Sequence, residues 1–281
     1  MLLCFKRYVI AVCAIAIALP VAASTLWPLA TGQVMAASLG GLILEFVLFF
    51  AGFLIAYQIF SRRADAVADG FVHLYNVDCN PEAFLMHGRA LAEAIAFPCN
   101  GQCAWFMGYY AQACLDAGRG EEARTIEEGL RQSIAAQKRP QQQCAVIIAL
   151  IPLAEKLGTL DEARNLAEQG LSLISSDASQ DAAVQRQYLQ SQIAVTKARQ
   201  SGDLDALVKL DEKVVASAAY PWRLRVEYAW DAASACFKLG RADEERRYLR
   251  FIEEHGGTLV LVHQAKKRLQ AMAASPGTSQ R

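Results

Sequence analysis

The residues of this chain whose types and spacing invite chemistry are few. Cys99-Asn-Gly-Gln-Cys103 places two thiols four residues apart, with Cys79 and Cys114 as further candidate ligands. Thiolates bind soft metals and exchange disulfides, but the spacing is CxxxC and the second ligand pair of a structural zinc site is missing. Cys4, Cys13, Cys144 and Cys236 lie scattered over the rest of the chain, a usage that fits free thiols in a reducing compartment. The four histidines, His73, His87, His255 and His263, form no HExxH pair and read as helix surface or packing residues. A GxxxxGK[ST] phosphate loop and a serine nucleophile elbow are both missing, and Gly118-Arg-Gly120 reads as a turn between helices. Paired acids at Glu121-Glu122, Glu127-Glu128 and Glu253-Glu254 fit solvated helix faces. The sequence therefore predicts no catalytic residue, no metal, no cofactor and no small-molecule substrate. A formal net charge of zero also removes any generic attraction to nucleic acid.

Of the remaining charged groups, Glu45 stands out by its surroundings. It is the one ionisable residue in two long apolar segments, about 8–29 and 39–60. A helix over Leu39–Phe60 is about 33 Å long, enough to cross the hydrocarbon core of a bilayer. Arg62 and Arg63 close this span and predict that the chain after it lies in the cytoplasm, and Lys6 and Arg7 precede the first segment. Two readings of that first segment stand. Its charged start, twelve-residue apolar core and small residues at Val21 and Ala23 suit a signal peptide cleaved before Ser24; continued through Trp27, it makes a first span and a helical hairpin with the second. Glu45, near the outer end of its span, either snorkels or is protonated, or it contacts a partner span. Ala14 with Ala18, and Gly52 with Ala56, have the four-residue spacing that admits close helix contact.

After Arg63 the chain consists of Ala-rich segments with helical spacing, and strands are not expected. Turn anchors at Asp78, Gly118, Gly158, Gly202 and Gly240 are separated by 40, 40, 44 and 38 residues. Apolar residues recur eight positions after each anchor (Met86, Ile126, Leu166, Leu210, Tyr248) and, Gly170 apart, twelve after (Ala90, Leu130, Val214, Ile252). Five after stand Ala83, Ala123, Ala163 and Leu207, with Glu245 breaking the rule. These offsets share one helix stripe, as a second helix needs to pack back on its first. Four before the anchors stand small residues at Cys114, Ala154, Ala198 and Cys236, with Leu74 the exception. Asn80-Pro81-Glu82 and Thr159 to Glu162 carry helix-start signals, Pro221 opens the last long helix, and Gly256-Gly257 ends its partner. Pro152 is expected to kink or break its helix.

The turns GRGEEA (Gly118 to Ala123), LGTLDEA (Leu157 to Ala163), SGDLDAL (Ser201 to Leu207) and LGRADEE (Leu239 to Glu245) are similar to the inter-helix turn of the tetratricopeptide repeat (TPR) superfamily. The repeats are longer than that family's usual 34 residues, and a related right-handed helical-hairpin solenoid fits the same pattern. With the apolar segments, the helical spacing and the Ser/Gly/Pro-containing end, the expectation is an all-α chain: an N-terminal transmembrane helical hairpin, then over 61–272 a repeat domain that the resemblance implies to be a right-handed TPR-like α-solenoid of about five helix pairs with a closing helix, then a disordered tail over 273–281. The resemblance also implies a concave groove lined by the first helix of each pair. Carried over by offset from each turn, the groove positions are Trp105, Gln112, Asp116, Glu155, Gln192, Arg199, Glu227, Trp230 and Ser234. This polar set with two aromatics suits peptide backbone and an apolar anchor, although Trp105 and Trp230 also fit core positions.

The expected function is that of a membrane-anchored, non-enzymatic interaction scaffold, an integral protein of the plasma or inner membrane whose cytoplasmic groove binds a peptide or protein partner. The alternative is an accessory subunit of a membrane transport or secretion complex that acts through its spans.

Overall fold

The computed structural model describes residues 6–31 and 39–274; the side chains of 6, 7, 24–31, 39–42, 44 and 45 fall outside the description. Glu45, Lys6, Arg7 and the tail from residue 275 on therefore lie outside the described side chains. The protein is all-α, with twelve helices and no strand among the described residues. In chain order these are α1 (Lys6–Thr31), α2 (Leu39–Asn76), α3 (Pro81–Ala94), α4 (Gly101–Asp116), α5 (Gly120–Ala136), α6 (Pro140–Leu157), α7 (Leu160–Leu173), α8 (Gln180–Ser201), α9 (Leu204–Ala216), α10 (Trp222–Lys238), α11 (Ala242–His255) and α12 (Val260–Ala274). Contacts divide the chain into one unit up to Gly70 and a second from Phe71 onward.

In the first unit, among the described residues, one helix over Phe46–Asn76 is long and apolar enough to cross a membrane, and Tyr8–Ala23 is a shorter apolar helix. The two helices touch through a narrow seam: Val12 and Ala56 are buried together, flanked by Tyr8 and Phe60, whose rings lie 5.5 Å apart. The close-contact face differs in part from the expected one. Gly52 and Ala56 are buried, but on α1 the seam uses Val12 and Ala16 while Ala14 and Ala18 are exposed. Phe46, Phe50, Leu54 and Ile55 point away from it and stay exposed, an apolar surface that water does not favour. Arg62 and Arg63 are exposed beyond it.

The second unit is a stack of helix pairs in chain order: the end of α2 with α3, α4 with α5, α6 with α7, α8 with α9, and α10 with α11, closed by α12. Local signals account for the breaks. Asn80 caps α3 by accepting from the Ala83 amide with Pro81 at the first helical position, Thr159 caps α7 by accepting from the Glu162 amide, and Asp203 caps α9 through Ala206. Gly118 and Gly240 sit at φ +75° and +71°, letting the Arg119 and Arg241 amides turn back onto the Cys114 and Cys236 carbonyls and end α4 and α10. The carbonyls so satisfied belong to the small residues four before each anchor, both fully buried.

Three expectations need correction. The first anchor is Cys79, at φ +51°, rather than Asp78. That one-residue shift leaves Met86 67% exposed, turns Ala90 outward, and buries Phe84 and Leu91 in the stripe. The position four before the anchor then falls on Tyr75, which is fully buried, instead of Leu74. Second, of the two outcomes expected at Pro152, a kink or a break, the break does not occur, and α6 runs through to Leu157. A proline inside a helix costs about 3 kcal/mol, and here Ile151 and Leu153, both fully buried, hold the flanking turns in the core. Third, α12 extends to Ala274, two residues beyond the expected end of the closing helix. Glu245, the one acid on the packing stripe, is buried because Arg268 of α12 reaches it at 2.6 Å, a contact with the closing helix that the pattern of pairs alone does not show.

The stack closes on itself. The Thr258 amide, just before α12, donates to the Cys79 carbonyl at 3.0 Å, and a Cβ on the neighbouring Gly257 would come within 2.6 Å of the Asp78 carbonyl oxygen. The last turn of the array thus lies against its first, where only glycine fits.

Candidate functional site

The first helices of the five pairs meet through charged side chains near their ends, and the links form a complete circuit. The Tyr75 hydroxyl at the end of α2 donates to Asp116 of α4 at 2.5 Å. Lys156 of α6 lies 3.5 Å from Asp116 and 2.7 Å from Glu227 of α10. Glu155 of α6 pairs with Arg199 of α8 at 3.4 Å, and Arg199 also holds Asp231 of α10. Arg223 of α10 pairs with Glu227 at 2.7 Å, donates to the Asn76 side chain at 3.0 Å, and places its guanidinium 4.8 Å from the Tyr75 ring. Each pair is tied to the next and the last to the first.

Burial grades across this cluster. The Arg223 side chain is 6% exposed, whereas Lys156 and Asp231 keep 34% and remain in reach of water. Burial by itself pushes the Glu227 carboxyl up, but the Arg223 guanidinium and the Lys156 ammonium override it and hold the group down to about 2. Glu155 and Asp231 shift the other way: burial raises both, with Arg199 opposing. Asp211 of α9 is fully buried and neither carboxyl oxygen has a hydrogen-bond partner among the described residues. Burial, then repulsion from Asp231, pushes it up to about 8 against the pull of Arg199. Burial also drives the hydroxyls of Tyr75, Tyr188 and Tyr228 above the usual tyrosine range, so all three stay protonated at neutral pH.

The structure brings four of the nine sequence-predicted groove residues, Asp116, Glu155, Arg199 and Glu227, into this one network. Gln112 is buried and its amide bonds the Gly108 carbonyl of its own helix at 3.2 Å, while the Gln192 amide reaches the Tyr228 hydroxyl at 3.4 Å. Trp105 is half-buried, edge-on to Tyr109 at 5.4 Å, and Tyr109 in turn flanks Arg223. Trp230 is half-buried with the Arg268 guanidinium 5.8 Å from its ring, which faces it toward the closing helix. Ser234 is half-buried. Lys156 and Arg223, which pair with Asp116 and Glu227, and Asp211, Asp231 and Tyr75 are further members that the offsets did not select. Part of this was visible in the repeat register. Asp116 and Lys156 both lie two residues before their anchors, and Glu155 and Arg199 both lie three before, so opposite charges occupy equivalent positions of adjacent pairs.

The Cys99-to-Cys103 segment has a structural explanation. Asn100 caps α4 by accepting from the Cys103 amide at 3.0 Å, and the Cys99 amide donates to the buried Ser133 hydroxyl at 2.9 Å. Burial pushes the Cys79 and Cys114 thiols up to about 12, away from the thiolate a metal or an electrophile needs. Among the described residues no three His, Cys, Asp or Glu side chains converge as metal ligands.

Compared with known proteins, the chain matches no family model and no curated protein sequence.

Proposed function

We propose that this chain is a membrane-anchored, non-enzymatic scaffold: α1 and α2 form a transmembrane hairpin, and the repeat unit, a right-handed TPR-like array on the cytoplasmic side, holds a peptide or protein partner on the inner face of its helix ring. The observation that carries this reading is the convergence of polar side chains from all five first helices on one partly solvated cluster. Such a surface combines fixed donors and acceptors with the aromatic faces of Trp105 and Tyr109, the mixture that suits an extended polypeptide. The exposed phenylalanines of α2 support the anchoring, since a bilayer removes them from water. Tethering to a membrane raises the effective concentration of a partner held there, so modest affinity is enough.

The test is site-specific photo-crosslinking of the full chain in its native membrane. A crosslinker in place of Trp105 is expected to capture a discrete protein that one in place of Arg250, exposed on α11, does not. Capture only from positions in the apolar helices, such as Phe50, would sink the scaffold reading and favour a subunit that assembles through its spans.

A further inference from the structure

The charges of the ring interior divide into two unequal halves. Lys156 and Arg223 balance Asp116 and Glu227. Arg199 alone faces Glu155, Asp231 and Asp211. The surplus is visible as missing partners: one Glu155 carboxyl oxygen and both of Asp211 are buried without a hydrogen bond. Buried carboxyl oxygens left without a partner are costly. Asp211 feels the charges of Asp231 and Arg199 and its carboxyl is closed to solvent, whereas Asp231, 34% exposed, opens the cluster to water.

We infer that the Glu155, Asp211 and Asp231 half of the ring is a binding site for one organic cation, the guanidinium or ammonium of an arginine or lysine side chain on the partner polypeptide. A bare divalent ion is the poorer fit, because it needs several oxygens converging at coordination distance and the described residues offer no such group. A guanidinium needs carboxylate acceptors within reach of its fork of donors, and Glu155 and Asp231 already present two to Arg199. The inference rests on the scaffold reading and adds the chemistry of the ligand. It also makes binding proton-linked. A cation at Asp231 relieves the repulsion felt by Asp211, whose carboxyl feels Asp231 of α10 and Arg199 of α8 and acts in turn on Tyr228 of α10. Asp211 then gives up its proton more readily, and the complex tightens as pH rises toward 8.

The experiment is selection of a displayed random dodecapeptide library on the full chain in lipid nanodiscs, followed by titration of the enriched peptides. Enriched peptides are expected to share one basic position, and replacing that arginine by neutral, isosteric citrulline weakens binding about tenfold, the scale of one charge-assisted hydrogen bond. Asp231→Asn in the protein is expected to erase the difference between the arginine and citrulline peptides. Because the citrulline swap alters only the peptide, it reads the site even if that variant folds poorly. Peptides enriched with no basic position, or citrulline twins that bind equally, overturn the cation site and leave peptide binding standing. If no peptide is enriched, both readings fall.

Discussion

Replacing Asp211 by asparagine is expected to stabilise the protein, and to do so increasingly as pH rises. Folding raises this carboxyl from an ordinary value near 4 to about 8, so the folded state keeps a proton that the unfolded chain has released throughout that interval. The sign follows from linkage. Where the folded state binds more protons, stability falls with pH, so the contribution of Asp211 is intact below about pH 4, declines through neutrality, and is fully lost above about pH 8. The slope is about 1.4 kcal/mol per pH unit, so between pH 5 and pH 8 the wild-type chain loses on the order of 3 kcal/mol through this one group. Asparagine is isosteric with the protonated acid and does not titrate. The variant is therefore expected to match wild type near pH 4, and the gap to widen by about 3–4 kcal/mol between pH 5 and pH 8. Glu155 and Glu227 titrate in both proteins and cancel in the difference, while the repulsion between Asp211 and Asp231 disappears with the carboxyl and is part of the gap. Urea unfolding of the full chain in mild detergent, followed by tryptophan fluorescence at the two pH values, measures the gap. A difference that stays constant between pH 5 and pH 8 would refute the reasoning, since it would mean that Asp211 is already ionised in the folded protein.

Two further substitutions probe the geometry. Gly118→Ala and Gly240→Ala each place a methyl group in open space at φ near +70°, so each is expected to lower stability by about 1 kcal/mol through backbone strain alone and, being in separate pairs, by about 2 kcal/mol together; thermal unfolding reads both. Tyr75→Phe removes the hydroxyl that Asp116 accepts from at 2.5 Å and is expected to cost about 1.5–3 kcal/mol in the same urea assay, because Lys156, at 3.5 Å, is too distant to replace a short charge-assisted bond.

How much of this was legible in the sequence differs by level. The helices were, because apolar offsets and caps act locally: Asn80, Thr159 and Pro221 stand where they predict a helix to begin. The seam of α1 and α2 was legible only for Gly52 and Ala56, since spacing alone does not say which face of α1 meets them. The first repeat was misregistered by one residue because Cys79 adopts a left-handed backbone usually taken by glycine or asparagine, and no local signal marks a cysteine for it. The groove positions reached Asp116, Glu155, Arg199 and Glu227, as they derive from helix faces. They missed Arg223, whose partner Asn76 lies 147 residues earlier in the chain. Closure of the array is a sum of small rotations between pairs, and a periodic sequence carries no record of that sum.

The charged circuit poses its own energetic question. Buried ion pairs are expensive to desolvate, and apolar residues of like size in their place are often as stable or more so, while removal of one partner costs about 3–5 kcal/mol. The network around Arg223 is therefore a poor source of net stability, and its directional links better explain why the ring closes in one register. This separates two outcomes. Arg223→Met alone strands Glu227, leaving it with Lys156 only, and is expected to be strongly destabilising. Arg223→Met with Glu227→Leu removes both charges and is expected to recover most of the stability of the parent while loosening the seam. The Thr258 amide, bonded to Cys79 at 3.0 Å, reports on the seam directly, and its hydrogen-exchange protection is expected to fall in the double variant even where global unfolding is unchanged. If protection at Thr258 tracks global stability in both variants, the circuit contributes packing energy alone, and closure is determined by the apolar contacts between the pairs.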